Sequence, residues 1–155
     1  FGPRICYYQR NRHAEDIEKS LGVHYLPLDQ LIAESDYLVL VLPMTPATEN
    51  LLSRERIARM KPGACVINVG RGGLIDEEAL CEALREKRLA AAGLDVFRME
   101  PVPQTNPLLK LQNIVLSPHM AGGTSDRYWK VDVASVLENI RRFVSGEGAV
   151  GRLDG

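Results

Sequence analysis

Tyr37-Leu38-Val39-Leu40-Val41-Leu42 is six apolar residues in a row, preceded by Ser35-Asp36 and closed by Pro43. A strand with one wet face alternates apolar and polar side chains. An unbroken run of this length therefore predicts a central parallel strand covered by helices on both sides. Parallel neighbours need crossovers, and the flanking sequence supplies them. Upstream, Arg4 to Tyr8 reads as a strand, Ala14 to Leu21 as a helix stopped by Gly22, Val23 to Tyr25 as a short strand, and Leu28 to Ser35 as a helix. Downstream come a helix from Ser53 to Met60, the turn Lys61-Pro62-Gly63 and a buried strand from Cys65 to Asn68.

The next helix announces its ends. Asp76 is placed to cap it, Glu77 and Glu78 occupy the first turn, Leu80, Ala83 and Leu84 form one stripe, and Lys87-Arg88 follow in the last turn. Strands are expected over Ala90 to Val96 and Ile114 to Leu116, separated by a Pro-rich loop from Met99 to Pro107. A long helix from Thr124 to Ser145 carries the stripe Trp129, Val133, Val136, Leu137, Ile140 and Val144, which is core or partner-facing surface, and Gly146 stops it. Repeated strand–helix–strand units define the class: α/β, a doubly wound parallel sheet of the dinucleotide-binding, Rossmann-like kind.

One part of that pattern is missing. Such folds open with a strand and a GxGxxG turn whose helix N-terminus receives a pyrophosphate, and about 20 residues later an acidic residue holds the ribose. No GxGxxG occurs in these 155 residues. If Arg4 to Tyr8 is the second strand, the first strand and its Gly-rich loop are lacking. In the order 3-2-1-4-5-6 the sheet would then fall into two parts with exposed backbone edges. The expected organisation is a partial nucleotide-binding domain over residues 1–148, a C-terminal tail over 149–155, and no substrate domain.

Composition narrows the partners. With 45% hydrophobic and 25% charged residues and a formal net charge of -1, the chain gives no reason to expect nucleic acid or a membrane surface as partner. It has no apolar run long enough to span a bilayer, and Phe1-Gly2-Pro3-Arg4 opens without a signal peptide. Cys6, Cys65 and Cys81 form no CxxC pair or Cys/His cluster, so no metal site is expected. They read as small buried residues of a reducing compartment, which points to the cytoplasm.

Chemistry is concentrated where three predicted strands end, the edge at which open α/β sheets bind ligands. Asn68-Val69-Gly70-Arg71-Gly72-Gly73 offers glycines that let backbone approach a flat ring, and an Arg71 fork matched to a carboxylate. Gly93-Leu94-Asp95-Val96-Phe97-Arg98-Met99-Glu100 places Asp95 at the end of a buried strand, where a carboxylate needs a donor. Ser117-Pro118-His119-Met120-Ala121-Gly122-Gly123 sets a histidine between a strand and a helix. Hydride transfer to a 2-oxo acid needs a cation for the carboxylate, a proton donor near neutral pH and an acid that tunes it. Arg71, His119 and Glu100 provide one of each.

Taken together with Leu42-Pro43-Met44-Thr45-Pro46-Ala47-Thr48, these segments resemble the D-isomer-specific 2-hydroxyacid dehydrogenases, the family of glyoxylate/hydroxypyruvate reductases and phosphoglycerate dehydrogenase. The resemblance runs from Phe1 to about Gly148. It implies that Arg71 grips the substrate carboxylate, that His119 is the general acid/base, and that Glu100 partners the imidazole so that its protonated form persists to higher pH. It also implies that Asp95 holds the nicotinamide carboxamide, and that Leu42, Pro43, Thr48, Val69, Gly70 and Gly122 line the cofactor. Further implications are a D-stereospecific oxidoreductase acting on small 2-oxo or 2-hydroxy acids and a homodimer in the full-length protein.

In NAD-preferring members an acid stands near Gln9. Here the segment is Gln9-Arg10-Asn11-Arg12, with no acid and two arginines that could meet a 2′-phosphate, so NADP is favoured over NAD. Related scaffolds oxidise phosphite or serve as nucleotide-sensing corepressors, and both remain as alternatives. Formate dehydrogenases pair the histidine with glutamine, so Glu100 argues against formate. Without a phosphate loop and a closing domain, the chain by itself is expected to be inactive.

Overall fold

The computed structural model describes residues 2–120 and 126–148. The chain divides into two compact units, Phe1–His119 and Met120–Gly155. In the first unit β1 (Ile5–Tyr7), α1 (Glu15–Leu21), β2 (Val23–Tyr25), α2 (Leu28–Glu34), β3 (Tyr37–Leu40), α3 (Arg54–Arg59), β4 (Cys65–Asn68), α4 (Glu77–Arg85), β5 (Ala91–Leu94) and β6 (Ile114–Leu116) follow in order. Two short 3-10 turns lie at Gly72–Leu74 and Pro107–Lys110.

All strand pairs are parallel, as the crossover pattern requires, and the fold is α/β of the Rossmann-like kind. β3-β4-β5-β6 form one sheet in which Leu38, Val66 and Ala92 lie side by side, as do Leu40, Asn68 and Leu94. That row is the buried face. It packs on Ile32 of α2, Ile57 of α3 and the Leu80, Ala83 and Leu84 stripe of α4. Each fully buried leucine here contributes about 1.5–3 kcal/mol over its exposed state. The start of α4 is fixed as expected, since the Asp76 carboxylate accepts the Ala79 N–H at 3.0 Å. At the end of α1, Gly22 takes φ +65°, a left-handed C-cap.

β1 and β2 form a separate two-stranded sheet that shares no ladder with the other four strands. β1 and β3 instead face a common cavity of about 870 Å³, lined by Ile5, Tyr7, Leu38 and Leu40 among others. This corrects one expectation about the Tyr37–Leu42 run. β3 stands at the edge of its sheet, and Tyr37, Val39 and Val41 on its second face are 74%, 53% and 69% exposed. The helices α2, α3 and α4 cover only the Leu38/Leu40 face. The strand also ends at Leu40, because its partner β4 ends at Asn68.

Cys81 is buried, Cys6 and Cys65 are half-buried, and all three are free thiols. In the second unit, α5 (Asp126–Val144) runs for 19 residues and is followed by Gly146 at φ +73°. Val136, Leu137, Ile140 and Val144 of its predicted stripe are exposed. The side chains of Trp129 and Val133 lie outside the described residues, as do Gly122 and the tail 149–155. Among the described residues no helix is long and apolar enough to cross a membrane, and no cluster could hold a metal ion.

Candidate functional site

The loops that leave β3, β4, β5 and β6 meet at the C-terminal edge of the four-stranded sheet. The segment after β4 binds them together. Asn68, 1% exposed, donates from Nδ2 to the Arg71 carbonyl at 2.9 Å and accepts the Gly70 N–H on Oδ1 at 3.0 Å. Two of its glycines, Gly70 and Gly72, lie against protein backbone, and Gly73 lies against the Met44 side chain. A Cβ on Gly72 would sit 1.9 Å from the Phe97 carbonyl carbon, and one on Gly70 would sit 2.8 Å from the Leu42 carbonyl oxygen. The Arg71 loop is thereby pressed against both the Asp95–Glu100 segment and the end of the β3 strand.

Glu100 and His119 come into direct contact, with Nδ1 2.7 Å from Oε2. The other Glu100 oxygen accepts the Phe97 N–H at 2.8 Å. The histidine bond first, then the Phe97 N–H, holds the Glu100 carboxyl below its ordinary range, and the Arg71 charge adds a smaller pull in the same direction. An ionised Glu100 can only accept, so Nδ1 of His119 carries the hydrogen between them. That leaves Nε2 as the ring nitrogen available to a ligand. Arg71 lies within electrostatic reach of this pair and bonds the Gly70 carbonyl at 2.7 Å.

His119 adopts φ +52°, a left-handed conformation that costs a non-glycine residue about 1–2 kcal/mol. Two hydrogen bonds tie the Ser117–His119 segment to Asp95. The His119 N–H donates to the Asp95 carbonyl at 2.8 Å, and the Ser117 hydroxyl donates to the Asp95 carboxylate at 2.6 Å. Asp95 is 5% exposed, so it has the donor that burial demands. Asn68 and Ser117 are the supporting residues that sequence reasoning missed. Both lie in stretches that were singled out, but their partners are fixed by through-space geometry.

Leu42, Pro43, Thr48 and Val69 lie on the same edge. The Thr48 hydroxyl serves its own loop, accepting the Thr45 N–H and donating to the Pro43 carbonyl, both at 2.8 Å. Val69 is 38% exposed and offers an apolar surface. Beyond β1 the structure separates the two arginines treated alike in the sequence. Arg12 is engaged by Glu18 through Nε and Nη2, both at 2.8 Å. Arg10 is exposed and makes no hydrogen bond or ion pair among the described residues. Gln9 bonds the Asn11 carbonyl at 2.6 Å.

Comparison with known proteins shows the family. The family model described as "D-isomer specific 2-hydroxyacid dehydrogenase, NAD binding domain" matches residues 1–121. A glyoxylate reductase of Korarchaeum cryptofilum is 45% identical over 147 residues, covering 95% of this chain and 44% of the relative. A glyoxylate/hydroxypyruvate reductase B of Pectobacterium atrosepticum is 42% identical over 147 residues, 95% of this chain and 45% of its own length. The chain thus spans less than half the length of these relatives. A D-isomer specific 2-hydroxyacid dehydrogenase of Xanthobacter autotrophicus Py2, solved in complex with NADPH and MES, superposes with a TM-score of 0.83 at 36% identity, over 99% of this chain and 62% of that one.

Proposed function

Because the chain belongs to the family of D-isomer specific 2-hydroxyacid dehydrogenases, we propose that residues 1–148 serve as the larger part of the NAD(P)-binding domain of a 2-oxo acid reductase. The names of its relatives favour glyoxylate and hydroxypyruvate as substrates, and the description of the family favours D stereospecificity. Their greater length favours a substrate domain outside these residues. The observation that carries the reading is the Glu100–His119 contact at 2.7 Å on the ligand-binding edge, with Arg71 in charge range.

The residues present fit a nicotinamide dinucleotide: an exposed cation at Arg10, an apolar patch at Val69 and a buried carboxylate at Asp95. When bound, such a cofactor supplies the hydride. Glu100 fixes the imidazole through Nδ1, and Nε2 of His119 delivers a proton to the carbonyl oxygen of the substrate. Arg71 pairs with the substrate carboxylate and orients it. Asp95, held by Ser117, accepts from the carboxamide. NADP is the favoured cofactor, with Arg10 rather than Arg12 meeting the 2′-phosphate, because the Arg12 charge is already matched by Glu18.

The test is turnover by the catalytically complete protein that bears this domain, followed through nicotinamide absorbance with glyoxylate and hydroxypyruvate. Reduction of either supports the reading, with NADPH used better than NADH. Tight cofactor binding without turnover of any 2-oxo acid would overturn it in favour of a nucleotide sensor.

A further inference from the structure

The turn that follows β1 is held from behind by a carboxylate that no ligand would touch. Glu18 lies in α1 and is 6% exposed. It accepts the Tyr7 hydroxyl at 2.6 Å and both Arg12 donors at 2.8 Å. These bonds hold its carboxyl down to about 2, the Arg12 bonds first and the Tyr7 bond second. The Tyr7 hydroxyl in turn accepts the His13 N–H at 3.0 Å. Tyr25 at the end of β2 completes the anchorage, with the Arg12 guanidinium 5.2 Å above its ring and the rings of Tyr7 and Tyr8 at 5.6 and 6.1 Å. Residues 8 and 12, the two legs of the turn, are thus both tied down, and Arg10 stands exposed between them.

We infer that Glu18 is a positioning residue for cofactor discrimination, fixing through Arg12 and Tyr7 the turn that presents Arg10 to a 2′-phosphorylated nucleotide. The inference rests on the reading of Arg10 proposed above. Its physical basis is preorganisation: a turn already ordered in the folded protein loses less conformational entropy when the phosphate arrives. Glu18 also takes Arg12 out of competition for that phosphate, which leaves one cation in one place. A neutral amide at position 18 keeps the shape of the side chain but loses the charge-assisted fork.

The experiment compares kcat/KM for NADPH and NADH in the catalytically complete protein carrying Arg10→Ala, Glu18→Gln, Tyr7→Phe, and Arg10→Ala with Glu18→Gln. Arg10→Ala is expected to lower the NADPH/NADH ratio about 30-fold or more, as for loss of one partner of a charged pair. If that ratio does not move, the underlying reading of Arg10 fails. Glu18→Gln is expected to lower the ratio about 5-fold or more through KM for NADPH, with kcat unchanged, and Tyr7→Phe to act in the same direction more weakly. In the Arg10→Ala background Glu18→Gln should leave the ratio where it is. With Arg10→Ala active as expected, an unchanged ratio in both Glu18→Gln and Tyr7→Phe overturns the inference. So does a raised ratio in Glu18→Gln, which would show Arg12 released to bind phosphate itself.

Discussion

A histidine in a left-handed backbone conformation, bonded through Nδ1 to an ionised glutamate, is the smallest unit on which the proposed chemistry turns. Because the bond to Glu100 fixes which ring nitrogen faces outward, His119→Gln is expected to lower kcat for reduction by about 10²–10⁴-fold, the usual worth of a positioned general acid. Single-turnover measurements with saturating cofactor check this, and a loss confined to KM would contradict the role. Glu100→Gln keeps a hydrogen-bonding side chain but removes the charge that holds Nδ1 of His119 as donor, so kcat for reduction is expected to fall with the fold retained. The folded-state carboxyl of Glu100 titrates below its ordinary value, so its contribution to stability is complete above about 4.5 and is lost as pH falls. Arg71 and His119 stand out in the sequence because each is a reactive type just past a strand, and Glu100, in a loop, stands out only through the family resemblance of its segment. Glu18 does not stand out, since pairing with Arg12 depends on a turn whose closure no local pattern reports, and this is why the two arginines of the Gln9–Arg12 segment looked equivalent.

At the scale of elements, the loop after β4 is the part that assembles the site. Gly72 lies against the Phe97–Arg98 backbone, which cannot yield as a side chain can, whereas Gly73 meets only the sulfur of Met44, the far part of a flexible chain. Gly72→Ala is therefore expected to destabilise the fold by ~3 kcal/mol, the upper part of the overpacking range, while Gly73→Ala costs less than about 1 kcal/mol. Chemical denaturation of the two variants side by side measures the contrast, and equal midpoints would show that the close approach at Gly72 has no energetic weight. Gly72→Ala should also push the segment carrying Glu100 outward and cost activity beyond the stability loss. Helices and strands were readable where apolar spacing and caps agreed, as in α4 with Asp76 at its start, and β2, β4 and β6 span the residues their patterns predicted. Strand ends were less readable. β3 halts at Leu40 although the apolar run continues to Leu42, because the ladder depends on the length of its neighbour. The 3-10 turns at Gly72 and Pro107 carry no periodicity that a sequence would show.

Across the whole molecule the decisive feature is the cavity of about 870 Å³ between β1 and β3. Each of these strands is paired on one side only, so their other edges present N–H and C=O groups without a ladder. Tyr37, Val39 and Val41 add an exposed apolar face beside one of those edges. Such edges pair readily with other chains, and an apolar face of this kind promotes association. We expect the 155-residue chain in isolation to self-associate. We also expect its β1–β2 amides to exchange with solvent faster than those of β4 and β5, since the smaller sheet is held to the rest by loops and side chains rather than by a shared ladder. Sedimentation across a concentration series and amide exchange resolved by segment test both. Supplying one further apolar strand between β1 and β3, as part of a longer polypeptide, should merge the two sheets, slow the β1–β2 exchange to the level of β4 and abolish the association. A chain of these 155 residues that stays monomeric, and whose β1–β2 and β4–β5 amides exchange in a single cooperative step, would show that the cavity is closed by side-chain packing alone and needs no added strand.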